Sequence, residues 1–225
     1  KGDICDILLL HDVFSRNHFD LVVHFAAETH VDRSMSDVAD FIRTNIEGTR
    51  CVLEAARLYK VGRLVHISTD EVYGTTTEGE ADEHAPLSPA NLYSASKAGG
   101  DLLVQSYMKI YQTPTVLIRG SNNYGPYQYP EKLIPLAVTN LMEGKKVPVY
   151  GDGMQVRDWL YVEDHCRAID LIVHNEKTIG ETFCVGGMTK DIPNIQVVKK
   201  ILKIMGKGEE DIEYVKDRPG HDRRY

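Results

Sequence analysis

Cysteine is scarce in this sequence, and the residues present lie far apart. Cys5, Cys51, Cys166 and Cys184 form no C-x-x-C pair, so their spacing suggests neither a zinc site nor a disulfide framework. Free thiols buried in the core of a protein from a reducing compartment are the simpler interpretation. We therefore expect no bound metal and a cytoplasmic location.

Long apolar runs and excess positive charge are also missing. No stretch approaches the roughly 20 apolar residues that a membrane span needs, and we expect no signal peptide. The formal net charge of the 225 residues is −7, whereas a general nucleic-acid binder needs a basic face for phosphate contacts. The sequence thus predicts a soluble globular protein that binds neither membranes nor nucleic acids.

A third absence concerns phosphate binding. A dinucleotide-binding sheet normally starts with a strand, a glycine-rich turn over the pyrophosphate and a helix. Neither G-x-G-x-x-G nor G-x-x-G-x-x-G occurs in the sequence. The chain also begins with Lys1 rather than Met and ends at Tyr225, just after a charged cluster. We expect it to be part of a longer polypeptide.

Short apolar runs predict strands buried on both faces. They alternate with longer amphipathic segments that predict helices, an order typical of an α/β protein with a parallel sheet. The predicted strands are Phe19–Ala27, Leu64–Ile67, Thr115–Arg119, Val147–Tyr150, Glu181–Val185 and Glu213–Val215. The predicted helices are Ile7–Ser15, Phe41–Lys60 with a soft break near Gly48, Tyr93–Tyr111, Glu131–Glu143, Val162–Asn175 and Asn194–Met205.

Polar clusters follow three of the predicted strands. They comprise residues 28–34, Ser68 to Glu71, and residues 120–126. In an open parallel sheet, ligands bind beyond the carboxyl ends of the strands. Several polar clusters at that edge therefore predict a single crevice. For residues 28–34, a plain surface loop stays open as the alternative.

Two pairs of side chains suggest acid/base chemistry in that crevice. Asp70 and Glu71 are adjacent carboxyl groups at a strand end, although a solvated loop is the alternative. Tyr93 and Lys97 are four residues apart on a predicted helix, so they share a face, and the ammonium is expected to lower the pKa of the phenol. The spacing alone is weak, because 12 tyrosines should give roughly one such pair by chance.

Structural roles are the simpler interpretation for some other conspicuous residues. His24 and His66 lie inside predicted strands, where we expect satisfied core histidines, and Trp159 is expected to be a packing residue. Arg157 and Arg218 have two open interpretations. Each could form a surface salt bridge, or its planar guanidinium could bind a diphosphate with two hydrogen bonds.

The motifs resemble those of the extended short-chain dehydrogenase/reductases, the NAD-dependent epimerase/dehydratase family, and within it the dTDP-glucose 4,6-dehydratases. The matching segments span nearly the whole chain and are GDICD, HFAAETHVDRS, TNIEGT, STDEVYG, YSASK, SNNYGPYQYPEKLIP, YGDGMQVRDWLYVEDH and RPGHDRRY. STDEVYG discriminates best, because related epimerases and sugar-acid decarboxylases typically lack the Asp-Glu pair. Cys184 departs from the family, which usually has Asn there, and this puts one local hydrogen bond in doubt.

The resemblance implies a lyase that dehydrates dTDP-glucose to dTDP-4-keto-6-deoxyglucose. Tyr93 would take the proton of the sugar 4-hydroxyl as hydride leaves C4 for tightly bound NAD+, with Lys97 and Thr69 assisting. Glu71 would remove the C5 proton, Asp70 would protonate the departing 6-hydroxyl, and hydride would return to C6. One carboxyl group must hold a proton while its neighbour is ionised, and mutual repulsion helps to separate their pKa values.

The resemblance also implies two sets of binding residues. The cofactor set is Asp3, Ile4, Phe25, Ala26, Ala27, Thr44, Ser68, Tyr93, Lys97 and Asn123. The set for the nucleotide sugar is Thr29, Thr69, Asn122, Lys132, Leu133, Pro148, Tyr150, Arg157, Asn194, Arg218 and His221.

The implied fold is a Rossmann-like parallel sheet flanked by helices, without its amino-terminal glycine-rich βαβ unit, and with a smaller α+β substrate-binding region. Residues 1–123 and 157–186 would form the partial NAD-binding domain, and residues 124–156 and 187–225 the substrate-binding domain. A homodimer packed through helices 41–60 and 93–111 is expected. Two alternatives stay open, namely a UDP-sugar epimerase or dehydratase of the same superfamily, and a non-catalytic nucleotide-sugar-binding fragment.

Overall fold

The computed structural model describes residues 1–76, 78–187 and 191–225. Residue 77 belongs to the predicted loop 75–89, and residues 188–190 belong to the predicted substrate-binding domain. These four positions lie outside the described residues.

Helices and strands alternate along the chain, as the apolar pattern predicts. The helices are α1 (Ile7–Arg16), α2 (Val31–Ser36), α3 (Val38–Ile42), α4 (Thr49–Leu58), α5 (Leu92–Tyr111), α6 (Leu133–Met142), α7 (Val162–Val173) and α8 (Asn194–Ile204). The strands are β1 (Leu21–His24), β2 (Arg63–Thr69), β3 (Thr115–Gly120), β4 (Asn122–Tyr124), β5 (Val147–Tyr150), β6 (Val156–Arg157), β7 (Trp159–Tyr161), β8 (Thr182–Val185), β9 (Ile192–Pro193) and β10 (Ile212–Val215). A π-helical segment covers Arg43–Gly48, and 3₁₀ turns cover Asp70–Tyr73, Glu176–Thr178 and Glu209–Asp211.

A parallel sheet with strand order β1-β2-β3-β8 forms the centre of the fold. In register, His24 lies opposite His66, and Thr69 lies opposite Gly120. The predicted parallel α/β sheet is thereby confirmed. The first strand is shorter than predicted, because Phe25 and Ala26 lie beyond the paired residues and are exposed.

The long predicted helix over residues 41–60 is three consecutive helical segments. The π-helical segment lies between α3 and α4 and ends at Gly48. A Cβ atom on Gly48 would come within 2.5 Å of the Ile4 side chain, so the glycine allows the amino-terminal turn to pack against the helix. The soft break predicted near Gly48 thus corresponds to a local widening of the helix.

One open alternative and one predicted helix boundary are wrong. The polar string 28–34 is not a plain loop, because α2 begins at Val31 after His30, whose Nδ1 accepts a hydrogen bond from the Arg33 amide at 3.1 Å. The predicted helix 131–143 begins two residues later, at Leu133, since Lys132 has an extended backbone.

The fold has two lobes, each with its own apolar core. The first lobe contains the central sheet and the helices packed on it, and the second contains α6, α8, β5 and β10. Buried side chains from α4, β2, α5 and β3 pack beneath one face of the central sheet, and Leu53 and Leu117 are among them. The second core lies between α6, α8 and the parallel pair β5–β10, and includes Leu141, Val149 and Val198. In a parallel sheet, ligands bind beyond the carboxyl ends of the strands. The predicted crevice therefore lies at that edge of the central sheet, facing the second core.

Leu117→Ala is expected to destabilise the protein by about 2–5 kcal/mol, the range for truncating a buried leucine in a packed core. Leu117 lies in the central strand β3 and has no exposed surface. Urea unfolding followed by circular dichroism measures the loss. Leu171→Ala is the matched control, because Leu171 on α7 is 72% exposed and should change stability by less than about 0.5 kcal/mol. Equal effects of the two variants would contradict this assignment of the core.

The four cysteines carry free thiols, but they are not uniformly buried as predicted. Cys51 is buried, Cys5 and Cys184 are partly exposed, and Cys166 lies on the surface of α7. Across residues 1–76, 78–187 and 191–225, no helix has the length and apolar character needed to cross a membrane.

Candidate active site

The carboxyl end of β2 presents two adjacent carboxyl groups. Thr69 ends the strand, and its hydroxyl accepts a hydrogen bond from the Glu71 amide at 3.2 Å, which starts the 3₁₀ turn Asp70–Tyr73. This turn directs the neighbouring side chains of Asp70 and Glu71 to different places. The Asn91 amide group approaches one Glu71 oxygen at 3.5 Å, so the residue that caps α5 also contacts the candidate base.

The first turn of α5 positions Tyr93. The Asn91 side chain accepts a hydrogen bond from the Ser94 amide at 2.9 Å, and Ser94 Oγ accepts one from the Asn91 amide at 3.2 Å. Such a capping box fixes the start of the helix. Tyr93 is 8% exposed, and its ring makes an edge contact with Phe41, with centroids 6.4 Å apart. The phenol is thus held rigidly beside Thr69 and Glu71.

The pKa of Tyr93 is raised overall, so burial outweighs the lowering that its spacing with Lys97 predicts. Burial raises the pKa of Tyr93, the charge of Glu71 raises it further, and the Thr69 side chain acts in the opposite direction. Lys97 Nζ donates to the Ile67 carbonyl oxygen at 2.8 Å. The four-residue spacing indicates that the two side chains share a face, but it does not reveal how strongly burial opposes ionisation of the phenol.

Burial also raises the pKa values of both candidate acid/base carboxyls. The pKa of Asp70 lies well above its usual range because of desolvation and then the charge of Glu71. For Glu71, desolvation raises the pKa, while the Arg157 charge lowers it. Both groups are enclosed by protein but keep some exposure toward cavities. Asp70 is therefore the carboxyl group better suited to hold a proton, and Glu71 the one better suited to lose it.

A cavity of about 440 Å³ lies between the two lobes at the carboxyl ends of the strands. Residues from each of the three polar clusters that follow β1, β2 and β3 line this cavity, as the parallel topology predicts. All residues predicted for the nucleotide sugar line it, together with three of the cofactor set and with Glu71. These lining residues are Thr29, Ser68, Thr69, Glu71, Tyr93, Asn122, Asn123, Lys132, Leu133, Pro148, Tyr150, Arg157, Asn194, Arg218 and His221.

Asp70 lines a neighbouring cavity of about 390 Å³. Ser121 and Tyr225 line both cavities, so they form part of the wall between them. The charges of Asp70 and Glu71 both raise the pKa of Tyr93 and of Tyr225, which places all four side chains within electrostatic reach. Sequence reasoning missed Tyr225, since no local pattern marks a tyrosine that packs against a distant strand end.

The cationic residues of the predicted substrate set have different partners. Arg218 pairs with Asp32 at 3.2 Å, and its guanidinium lies 5.7 Å from the centre of the Tyr150 ring. The surface salt-bridge alternative is wrong for Arg157, which is 5% exposed, donates to the carbonyls of Val156 and Asp222, and stacks on Tyr225 at 4.2 Å. Arg218 is therefore paired with a carboxylate, Asp32, which an anionic ligand could displace, whereas Arg157 donates its hydrogen bonds to backbone carbonyls.

The remaining cofactor residues lie outside the larger cavity. Asp3 pairs with Arg43 on the π-helical segment, next to Thr44, and Ile4 packs against the first core. Phe25 is 57% exposed beyond the end of β1, followed by Ala26 and Ala27. Lys97 is buried beneath the cavity floor. Asn123, by contrast, lines the larger cavity; its Oδ1 accepts a hydrogen bond from His165 Nδ1 at 3.0 Å, and its Nδ2 donates to the Ser121 carbonyl at 3.1 Å.

The strand ends carry polar groups suited to a polar ligand. Several buried side-chain atoms of residues that line the larger cavity lack hydrogen-bond partners among the described residues. They include Ser121 Oγ, His165 Nε2, Asn194 Oδ1 and Arg218 Nε. Since buried polar groups are normally paired, the site fits a hydroxyl- and phosphate-bearing ligand such as a dinucleotide or a nucleotide sugar.

The prediction that both strand histidines are satisfied is correct only for His24. His24 Nε2 and Thr49 Oγ1 form a hydrogen bond at 3.2 Å, and burial lowers the pKa of His24 to about 4. His66 is 1% exposed, and neither of its ring nitrogens has a hydrogen-bond partner in the described chain. Desolvation holds the pKa of His66 well below its usual range, so it stays neutral.

The chain is similar to known proteins in sequence and in fold. A dTDP-glucose 4,6-dehydratase from Streptomyces niveus is 52% identical over 225 residues, which are 100% of this chain and 66% of that relative. The crystal structure of DesIV, a dTDP-glucose 4,6-dehydratase from Streptomyces venezuelae with NAD bound, superposes with a TM-score of 0.95 at 44% identity, covering 100% of this chain and 68% of that one. A UDP-glucose 4-epimerase from Thermus thermophilus, in complex with NAD, gives 0.90 at 29% identity, covering 99% and 73%.

The chain thus spans about two thirds of the length of these relatives. The profile described as GDP-mannose 4,6 dehydratase matches residues 1–225. The resemblance found in the sequence motifs is confirmed, and so is the Rossmann-like fold class. The chain belongs to the GDP-mannose 4,6-dehydratase family of the extended short-chain dehydrogenase/reductases.

Proposed function

We propose that the protein dehydrates dTDP-glucose to dTDP-4-keto-6-deoxyglucose as an NAD-dependent hydro-lyase. One observation carries the proposal, namely the adjacent carboxyl groups of Asp70 and Glu71 at the end of β2, within electrostatic reach of Tyr93. The relatives named dTDP-glucose 4,6-dehydratase support the same substrate. Elimination of water needs both an acid and a base, and neighbouring carboxyls with different surroundings supply both.

Each of these side chains is assigned one step; Asp70, which lines the neighbouring cavity, would have to reach the sugar from the wall between the two cavities. Tyr93 takes the proton of the 4-hydroxyl, and Thr69 holds that hydroxyl in place. When bound, NAD+ would supply the hydride acceptor for C4 and the hydride donor for C6. Glu71 removes the C5 proton, which the 4-ketone has made acidic, and Asp70 gives its proton to the departing 6-hydroxyl, which leaves as water. When C6 then receives hydride, Glu71 returns a proton to C5, so the net change is the loss of one water. The second cavity beside Asp70 gives this proton donor its own contact with solvent.

The nucleotide part of the substrate would lie along the second lobe, which we propose to be the substrate-binding domain of residues 124–156 and 187–225. Arg218 would leave Asp32 and bind the diphosphate instead, because a guanidinium can donate two parallel hydrogen bonds to phosphate oxygens. Lys132 reaches the Thr29 carbonyl at 3.1 Å, so it closes the cavity over the same end. Leu133 and Pro148 supply an apolar wall suited to a base.

The cofactor would lie along the carboxyl ends of β1 to β3, in the domain of residues 1–123 and 157–186. Ser68, Tyr93 and Asn123 would face its nicotinamide end, and Asp3, Ile4 and Thr44 its adenine end. The exposed Phe25, Ala26 and Ala27 would flank it between these two ends. A glycine-rich pyrophosphate turn is not among these residues, so the rest of the phosphate contacts must come from elsewhere.

We also propose a homodimer in the cytoplasm. Helices α3 to α5 expose several large apolar side chains on the outer face, and two such faces would cover one another. These side chains are Ile42, Leu58, Leu102, Ile110 and Tyr111. The free thiols fit a reducing compartment.

Supplying dTDP-glucose and UDP-glucose side by side tests the proposed substrate. We expect loss of one water from dTDP-glucose by mass spectrometry, with kcat/KM roughly tenfold or more above UDP-glucose. The two substrates differ by the thymine methyl group and the 2′-hydroxyl, and one methyl group in an apolar pocket is already worth about that factor. A product of unchanged mass with inverted C4 would instead identify an epimerase. A similar specificity constant for both nucleotides would contradict the base preference.

Titrating NAD+ into the 225-residue chain and into a form extended at its amino end tests the alternative of a non-catalytic nucleotide-sugar-binding fragment. We expect tighter binding by the longer form, because a glycine-rich turn contributes backbone amides to the pyrophosphate. Equal dissociation constants by calorimetry would show that the residues described above hold the cofactor unaided.

A further inference from the structure

A cluster of buried charges lies directly beneath Tyr93. Lys97 is 5% exposed, Asp101 has no exposed surface, and Arg119 is 1% exposed. Lys97 and Asp101 lie one turn apart on α5, so both face the central sheet. Buried charges are normally paired with one another. The chemistry proposed for Lys97 does not explain why Asp101 and Arg119 are also buried beside it.

Asp101 is firmly held. One of its oxygens accepts a hydrogen bond from Arg119 Nε at 2.9 Å. Arg119 is itself fixed, because its Nη1 donates to the Tyr73 hydroxyl at 2.6 Å and its guanidinium lies 4.9 Å from the Tyr73 ring centre. Burial raises the pKa of Asp101, whereas the Ser68 side chain and the Arg119 charge lower it. These two neighbours therefore favour the carboxylate form inside the protein.

The charged and titratable groups around Lys97 lie on its own helix and on the neighbouring strands. The charge of Lys97 acts on His24 of β1, His66 of β2 and Asp101 of α5. Tyr93 lies one turn earlier on α5, and Arg119 of β3 pairs with Asp101. Desolvation lowers the pKa of Lys97 to about 8, and the charge of Asp101 raises it. The two histidines are neutral and supply no negative charge. Asp101 is thus the anion that compensates the buried ammonium.

We propose that Asp101 is a positioning residue that keeps Lys97 in its ammonium form beneath Tyr93, with Arg119 holding the carboxylate in place. The inference rests on the proposed roles of Tyr93 and Lys97. An ammonium can stabilise a developing phenolate or donate to a sugar hydroxyl, whereas a neutral amine does neither as well. The spacing Tyr93, Lys97, Asp101 therefore places base, cation and counter-anion on successive turns of one helix.

The direct test is to follow the Lys97 side-chain signal by NMR as a function of pH, in protein labelled with ¹³C-lysine and without added NAD+. Lys97→Arg identifies the signal. Asp101→Asn is expected to lower the measured Lys97 pKa by about one unit or more, a tenfold change in the ionisation constant. Asp101→Glu should restore most of it. An unchanged Lys97 titration in Asp101→Asn would overturn the proposal.

Glu54→Gln is the matched control. Glu54 is also paired with an arginine, Arg57, and accepts a hydrogen bond from Tyr107 on α5, but its charge is not among those acting on Lys97. We expect the Lys97 titration to be unchanged in this variant. A shift as large as that of Asp101→Asn would show a general effect of packing and would contradict a specific role for Asp101.

Asp101→Asn leaves Arg119 without its carboxylate partner and could misfold. Two further measurements keep the proposal testable in that case. The double variant Asp101→Asn with Arg119→Gln replaces the ion pair by two amides and should show the same lowered Lys97 titration. In the wild-type protein, the Lys97 signal should also respond at the pH where the Asp101 carboxyl is protonated. A Lys97 signal that ignores this protonation would refute the coupling without any variant.

The pH profile separates this inference from the proposed function. If the longer enzyme is a dehydratase, Asp101→Asn should move the alkaline limb of kcat to lower pH, whereas a merely structural role would lower kcat at every pH. If the wild-type protein dehydrates no nucleotide sugar, the proposed function fails, and the NMR titrations still decide whether Asp101 controls Lys97.

Discussion

Glu71→Gln is expected to abolish exchange of the sugar C5 proton with solvent, by at least ~100-fold, the usual contribution of a positioned general base. Glutamine keeps the shape of the side chain and can still accept the hydrogen bond from Asn91, so binding of the nucleotide sugar should be unchanged. The measurement is deuterium incorporation at C5 by mass spectrometry in heavy water. Calorimetric titration with dTDP reports binding.

The pH dependence of this exchange in the wild-type protein follows from the same residue. Burial raises the pKa of Glu71, and the neighbouring Arg157 opposes that effect. Only the ionised carboxylate removes a proton, so exchange should increase with pH until Glu71 is fully ionised. Glu143→Gln, at an exposed residue that pairs with Lys145, should leave the rate unchanged. Normal exchange in Glu71→Gln would show that another group is the base.

The sheet and the position of the crevice could be predicted from the sequence because they follow from local patterns. Apolar runs such as Thr115–Arg119 predict strands, and their parallel arrangement brings Thr29, Thr69 and Asn122 to one edge. The contribution of the second lobe could not be derived in this way. Tyr150 and Arg218 reach the cavity through long-range packing. Only the resemblance to known proteins indicated Tyr150, and the chemistry of Arg218 suggested a diphosphate ligand without placing it in the cavity.

The electrostatics of the site was the least predictable part. The spacing of Tyr93 and Lys97 indicates a shared helix face, but the raised pKa of Tyr93 depends on how completely Phe41 and the strand end enclose it. The division of Asp70 and Glu71 between two cavities depends on the 3₁₀ turn that follows Thr69. Adjacent residues share an edge of the sheet, yet a tight turn sends their side chains in different directions.

Asp70→Asn is expected to produce the opposite pattern from Glu71→Gln. Exchange of the C5 proton should continue, while loss of water falls by roughly 100-fold or more, because asparagine has no acidic proton to give to the departing hydroxyl. Desolvation and the charge of Glu71 raise the pKa of Asp70 well above its usual range, which favours the protonated form that the elimination needs. Mass spectrometry of the sugar in heavy water measures both events in one sample.

The two events should also separate with pH in the wild-type protein. Exchange increases as Glu71 ionises, whereas elimination decreases once the pH passes the pKa of Asp70, so their ratio rises with pH. Asp82→Asn is the control, since Asp82 lies in the loop after β2, accepts a hydrogen bond from the His84 amide, and lines neither cavity. If Asp70→Asn loses exchange and elimination equally, the carboxyl groups act as one unit, and the assignment of acid and base to separate residues is wrong.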